Sequence, residues 1–74
     1  MMIDYSKGRY TVKDTNGGLI GRIDEDEYVR SGTVLRFRVD GDEFYTLDSV
    51  LIGFIRNGIV TAPDGAPRYF ISSE

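Results

Sequence analysis

The sequence predicts an all-β fold: a small barrel or two-sheet sandwich of six to eight short strands joined by tight hairpin turns. Three observations carry this. Leu35, Phe37 and Val39 alternate with Arg36, Arg38 and Asp40, the period-two pattern of a half-buried strand. Asn16-Gly17, Asp40-Gly41, Asn57-Gly58 and Asp64-Gly65 are turn dipeptides whose residues tolerate the positive φ that tight hairpins require. The one segment with a competing helical spacing, 48–55, carries Gly53 in its middle and the strand-favouring Val50, Ile52, Phe54 and Ile55 around it.

Residues 1–8 read as a loose leader to a single β domain spanning 9–74. Arg9 to Asp14 alternates, with Tyr10 and Val12 on one side and Thr11 and Lys13 on the other. Asn16-Gly17 turns the chain. Leu19 to Asp24 returns, with Leu19, Gly21 and Ile23 on the face of Tyr10 and Val12, and Arg9 paired with Asp24 outside. Asp24-Glu25-Asp26-Glu27 is too charged for a sheet interior and marks an exposed corner; it lacks the alternating ligand spacing and central glycine of a calcium loop. Tyr28 and Val29 suit a short strand or one helical turn, and Ser31-Gly32 leads into the central hairpin. There, Asp40-Gly41 as a type I′ turn sets Arg38 opposite Glu43, Phe37 opposite Phe44 and Arg36 opposite Tyr45. A turn at Gly41-Asp42 would instead set Asp40 opposite Glu43, an unfavourable like-charge pair, so the first register is expected.

Asp48-Ser49 could cap a helix presenting Leu51, Phe54 and Ile55, but an internal repeat favours a strand. Leu19-Ile20-Gly21-Arg22-Ile23 recurs as Leu51-Ile52-Gly53-Phe54-Ile55, a separation of 32 residues (19 to 51). At that separation Arg36-Phe37 falls on Arg68-Tyr69, and Val39 on Ile71. Tyr10-Thr11-Val12 matches Tyr45-Thr46-Leu47, with a turn three residues shorter in the second copy (12 to 19 against 47 to 51). The chain thus reads as a duplicated unit with pseudo-twofold symmetry. Ile59 to Thr61, a loop around Asp64-Gly65 flanked by Pro63 and Pro67, and Arg68 to Ser72 complete it. The stretch Val12-Lys13-Asp14-Thr15-Asn16-Gly17-Gly18-Leu19-Ile20-Gly21 resembles the opening hairpin of small PRC-type barrels, as does the chain length; the resemblance implies a barrel and carries no function with it.

Composition narrows the chemistry. A domain of 74 residues buries only about 60% of the surface its unfolded chain exposes. With no cysteine and no histidine, disulfides, thiolate metal sites, thiol nucleophiles and imidazole bases are excluded, and neither a metal nor another cofactor is expected. Asp14, Asp40, Asp42 and Asp64 sit in turns, where local hydrogen bonding accounts for them. No catalytic residue is assigned, and an enzyme is not expected. The net charge of −3 argues against bulk attraction to nucleic acid or anionic membrane. The start has neither the basic nor the apolar region of a signal peptide, and the longest apolar run, Val50 to Ile55, is too short to span a bilayer; a cytoplasmic protein is expected.

Two candidate surfaces remain. Arg36, Arg38, Tyr45, Arg68 and Tyr69 offer bidentate donors and stacking rings for single-stranded nucleic acid or another anionic ligand. Val50, Ile52, Phe54 and Phe70 belong to apolar strands that need cover, and a chain without disulfides or metal gains stability most simply from a second copy. The first expectation is therefore a non-catalytic protein-interaction module that forms a homodimer or higher oligomer. The anion binder is the second.

Overall fold

The computed structural model describes residues 4–74. Eight antiparallel strands follow one another around a closed barrel: β1 (Arg9–Asp14), β2 (Leu19–Asp24), β3 (Tyr28–Ser31), β4 (Val34–Asp40), β5 (Glu43–Thr46), β6 (Leu51–Arg56), β7 (Ile59–Thr61) and β8 (Pro67–Ser73), with β8 pairing back onto β1. The 48–55 segment is strand from Leu51 onward, and Asp48-Ser49 lies in the preceding loop. Each strand sends one fully screened side chain inward: Val12, Ile23, Val29, Val39, Phe44, Ile55, Val60 and Ile71. Phe37, Phe44 and Tyr69 form an aromatic cluster, with ring centroids 5.1 to 5.4 Å apart. Closure pairs every strand on both sides, so Val50–Ile55 and Arg68–Ser72 present no free edge to a neighbour. Association by strand addition, one route the apolar run suggested, is thereby removed.

Strand direction sorts the connections to two ends. The β1–β2, β3–β4, β5–β6 and β7–β8 loops lie at one end, the mouth; the other three connections, the entry to β1 and the exit from β8 lie at the floor. The floor is plugged. Asp4 caps a 3-10 turn, Tyr5–Lys7, its carboxylate accepting from the Ser6 N–H at 3.0 Å and the Ser6 hydroxyl at 2.6 Å. This directs Tyr5 into the core, edge-on to Tyr10 at 5.0 Å. The leader expected over 1–8 is therefore not loose from Asp4 onward; residues 1–3 lie outside the described residues.

Burial raises the Tyr5 phenol above its ordinary value of 10.0, against a hydrogen bond with the Gly58 backbone that lowers it. The neutral phenol is the favoured folded form. Its contribution to stability is thus complete below pH 10 and lost as pH climbs through the raised folded value. Urea melts at about pH 8 and about pH 11 should show Tyr5→Phe losing less stability between them than the parent chain; equal losses would place the titrating group elsewhere.

The central hairpin turns at Gly41-Asp42, not at Asp40-Gly41. Asp40 faces Glu43, Val39 faces Phe44, Arg38 faces Tyr45 and Phe37 faces Thr46. Gly41 has φ 62 while Asp42 stays negative, the φ signs of a type II′ turn. Partners spread the like charges: Arg38 reaches Asp40 at 3.9 Å, and the Tyr45 hydroxyl donates to Glu43 at 3.0 Å. The register differs from the expected one by two residues, an even number, so inward and outward faces are as expected. Phe37 and Phe44 still meet, as diagonal neighbours. Elsewhere a β-bulge between Val12 and Lys13 pairs Lys13 with Leu19 and leaves Leu19 exposed while Ile20 packs on the core, reversing the facing expected for Leu19.

The two halves of the barrel share one register. Val12 faces Gly21 as Phe44 faces Gly53, and Thr11 faces Arg22 as Glu43 faces Phe54. Each correspondence is a separation of 32 (12 to 44, 21 to 53, 11 to 43, 22 to 54), and the irregularity after Val12 recurs after Phe44. Val29 with Phe37 corresponds to Val60 with Tyr69, bulges included. Tyr10-Thr11-Val12 thus corresponds to Asp42-Glu43-Phe44, not to Tyr45-Thr46-Leu47, and the two loops have the same length. Asp14 N–H donates to the Gly18 carbonyl at 2.8 Å in one, and Thr46 N–H to the Val50 carbonyl at 2.9 Å in the other.

Candidate functional site

The Arg/Tyr constellation does not converge. Arg36 is exposed on β4 and Arg68 on β8, four strands apart and so on opposite walls. Tyr69 points inward among Phe37 and Phe44. It joins no surface site. Arg38 and Tyr45 do meet, the guanidinium lying 5.0 Å from the ring centroid. That cation is already engaged, with Glu27 at 4.0 Å and Asp40 at 3.9 Å. The hydrogen bond to Glu43 raises the Tyr45 phenol from its ordinary value, followed by desolvation and nearby carboxylates, with Arg38 opposing. An anionic ligand arriving here would have to displace carboxylates from the arginine, at a cost of desolvating both.

The acidic corner is similarly committed. Asp24 meets Arg9 at 3.1 Å, Asp26 meets Arg30 at 2.5 Å, and Glu27 approaches Arg38 as above. The repulsion between the directly opposed Arg22 and Arg30 on β2 and β3 is offset by Glu74, 3.9 Å from Arg22, and by Asp26. Among the described residues no group of three or more carboxylates is placed to hold a metal ion, and no helix is long and apolar enough to cross a membrane.

The unpaired feature is apolar. Among the described residues seven large apolar side chains are exposed, and five of them, Leu19, Val34, Leu35, Leu47 and Val50, lie at the mouth end. Below this rim Ile20 and Ile52 pack on the core. Val50, most exposed at 60%, is a loop residue, and Ile52 is turned largely inward. The four residues expected at an interface therefore separate: Val50 joins the rim, Ile52 lies in the wall beneath it, and Phe54 and Phe70 project from the outer wall of β6 and β8 with Ile59 and Thr61 of β7 between their strands. By register, Phe54 and Phe70 occupy the places that Arg22 and Arg38 hold in the other half. One flank is thus an ion-pair network and the opposite flank is apolar.

Charge follows the same division. The ionisable side chains flanking the mouth are Lys13, Asp14, Arg30, Arg36, Asp48, Asp64 and Arg68, four cationic and three anionic, so they nearly cancel. The net negative charge of the chain therefore lies toward the floor and flanks. The rim residues Leu19, Val34, Leu35 and Leu47 carry no sequence signal of their own; only closure, which brings alternate hairpin loops together, makes them one surface. No family model, curated protein or solved structure matches the chain.

Proposed function

We propose that this chain is a small non-catalytic protein-interaction module, cytoplasmic, that self-associates through the mouth of its barrel. The observation that carries this is the rim of Leu19, Val34, Leu35, Leu47 and Val50 around the end opposite the Tyr5 plug. Exposed apolar side chains gathered at one end of a barrel suit a contact site. A second copy is the partner that the charge distribution favours. Two mouths meeting about a twofold bring together surfaces of nearly balanced charge and hold the two acidic ends far apart. Each copy then screens its rim with identical chemistry, compensating for a core near the lower size limit.

Light scattering over a range of micromolar concentrations tests it. The expected result is a mass rising above 8.3 kDa with concentration, and a return to the monomer mass in Val34→Glu with Leu47→Glu, two exposed positions whose replacement leaves the core intact. A constant 8.3 kDa at all concentrations would remove self-association. An oligomer that survives the rim changes and dissociates on Phe54→Glu or Phe70→Glu would move the contact to the β6–β8 wall.

A further inference from the structure

The barrel has two seams between its halves, and they are the same seam. At the first, β4 meets β5 with Val39 opposite Phe44 and Phe37 opposite Thr46. At the second, β8 meets β1 with Ile71 opposite Val12 and Tyr69 opposite Asp14. All four residues differ by 32 from their counterparts (39 to 71, 12 to 44, 37 to 69, 14 to 46). The correspondence reaches the chain ends. Gly41-Asp42, the turn that closes the first seam, corresponds to the cross-strand pair Ser73 and Tyr10 at the second (41 to 73, 10 to 42). One seam is joined by a two-residue turn, and the other is held by hydrogen bonds and side chains alone.

We infer that residues 9–40 and 43–73 are exchangeable half-barrels, and that the partner these seams fit is the complementary half of a second copy of this chain. A seam that holds without covalent connection on one side will hold without it on the other. The joining turn is the natural hinge. Asp40, Asp42 and Glu43 follow one another about Gly41, and Asp40 stands directly opposite Glu43. Straightening β4 into β5 separates that pair, and Gly41 adopts the extended conformation as readily as the turn. Short hinge loops between complementary halves favour exchange.

The core specifies which half is taken up. Val12 and Phe44 occupy corresponding places, and the ring of Phe44 packs on both Phe37 and Tyr69. Two first halves together would bring two valines to that layer and leave it under-filled; two second halves would bring two phenylalanines and overfill it. First half with second half is the combination that fills it, whether the halves come from one chain or two. This association uses the seams rather than the rim, so it is independent of contact at the mouth.

The test uses the full chain carrying Val34→Glu and Leu47→Glu, to suppress contact at the mouth, and Thr11→Cys with Ser72→Cys. Thr11 and Ser72 are small, outward-facing and directly paired across the second seam, at a separation typical of disulfides. Chains unfolded in urea are refolded over a range of concentrations, oxidised in air and run on a non-reducing gel. Dilute refolding is expected to give the intrachain bond, which verifies the seam register. Raising the refolding concentration from about 1 to about 100 µM is expected to raise the interchain-bonded fraction several-fold. Gly41→Val, which disfavours the turn but not the extended hinge, should raise it further. Intrachain bonds alone at every concentration would overturn the inference, as would failure to form either bond.

Discussion

Phe44→Ala is expected to remove about 3–5 kcal/mol of stability, the cost of emptying a fully buried aromatic site. A domain of this length has only about 4–11 kcal/mol in total, so the variant should be half-unfolded at low denaturant or unfolded outright. Phe44 has no exposed surface and is the largest fully buried side chain. Phe37 is only half-buried beside it, and Phe37→Ala should cost less, below about 3 kcal/mol. Register adds a sharper test. Val12 is the counterpart of Phe44, with Tyr69 and Phe37 related to it as Phe37 and Tyr69 are to Phe44. Val12→Phe should therefore restore more than half of what Phe44→Val loses, because the ring moves across the pseudo-twofold and the layer keeps its volume. Urea melts of the two single variants and the double variant measure this. A double variant no more stable than Phe44→Val would mean that the two positions are not equivalent in packing, whatever their pairing.

Such equivalence was half legible in the sequence. The Leu-Ile-Gly-x-Ile motif, Phe37 against Tyr69 and Val39 against Ile71 fall at matching register positions in the two halves, where similar places in the wall call for similar residues. Val12 against Phe44 was not legible, since the two share neither size nor neighbours, and Tyr10-Thr11-Val12 matched a different segment by chance. The strands and most turns were readable because alternation and Asn-Gly or Asp-Gly pairs are local signals. The register of the central hairpin was not. A like-charge rule argued from two residues, Asp40 and Glu43, but the register is fixed by hydrogen bonds that reach other strands: the Val39 N–H to the Glu27 carbonyl at 2.7 Å and the Ile55 N–H to the Asp42 carbonyl at 2.6 Å. Arg38 and Tyr45 then supply partners for the opposed carboxylates.

Surfaces were less legible than strands for a related reason. An uninterrupted run such as Val50 to Ile55 hides its own alternation, so no pattern within it separates the inward Ile55 from the outward Phe54. The rim needs closure before it exists at all, since its members come from three different connections. Tyr5 was invisible as a core residue because a single aromatic in an unpatterned leader has no period; the Asp4-x-Ser6 cap beside it was the available clue.

Gly53→Ala is expected to be more damaging than its one added methyl suggests. A Cβ at Gly53 would collide with the backbone carbonyl of Thr61, and no side-chain rotation can relieve a clash with backbone. The approach is built into closure: β6 passes the bulged end of β7, and the glycine lets the two backbones come together. Gly21 repeats the arrangement in the other half, where a Cβ would lie 2.5 Å from the Arg30 carbonyl and 3.0 Å from Val29. Over-packing usually costs about 1–3 kcal/mol; with backbone as the obstacle, each alanine should fall at or above the upper end of that range. The control is Gly17→Ala. Gly17 has open space around it and pays only for its φ of 85, about 1 kcal/mol. Urea midpoints should therefore rank Gly17→Ala well above Gly21→Ala and Gly53→Ala, with the last two alike. If Gly53→Ala melts with Gly17→Ala, β6 and β7 are not in close approach, and the barrel is more open at that corner than its strand pairing implies.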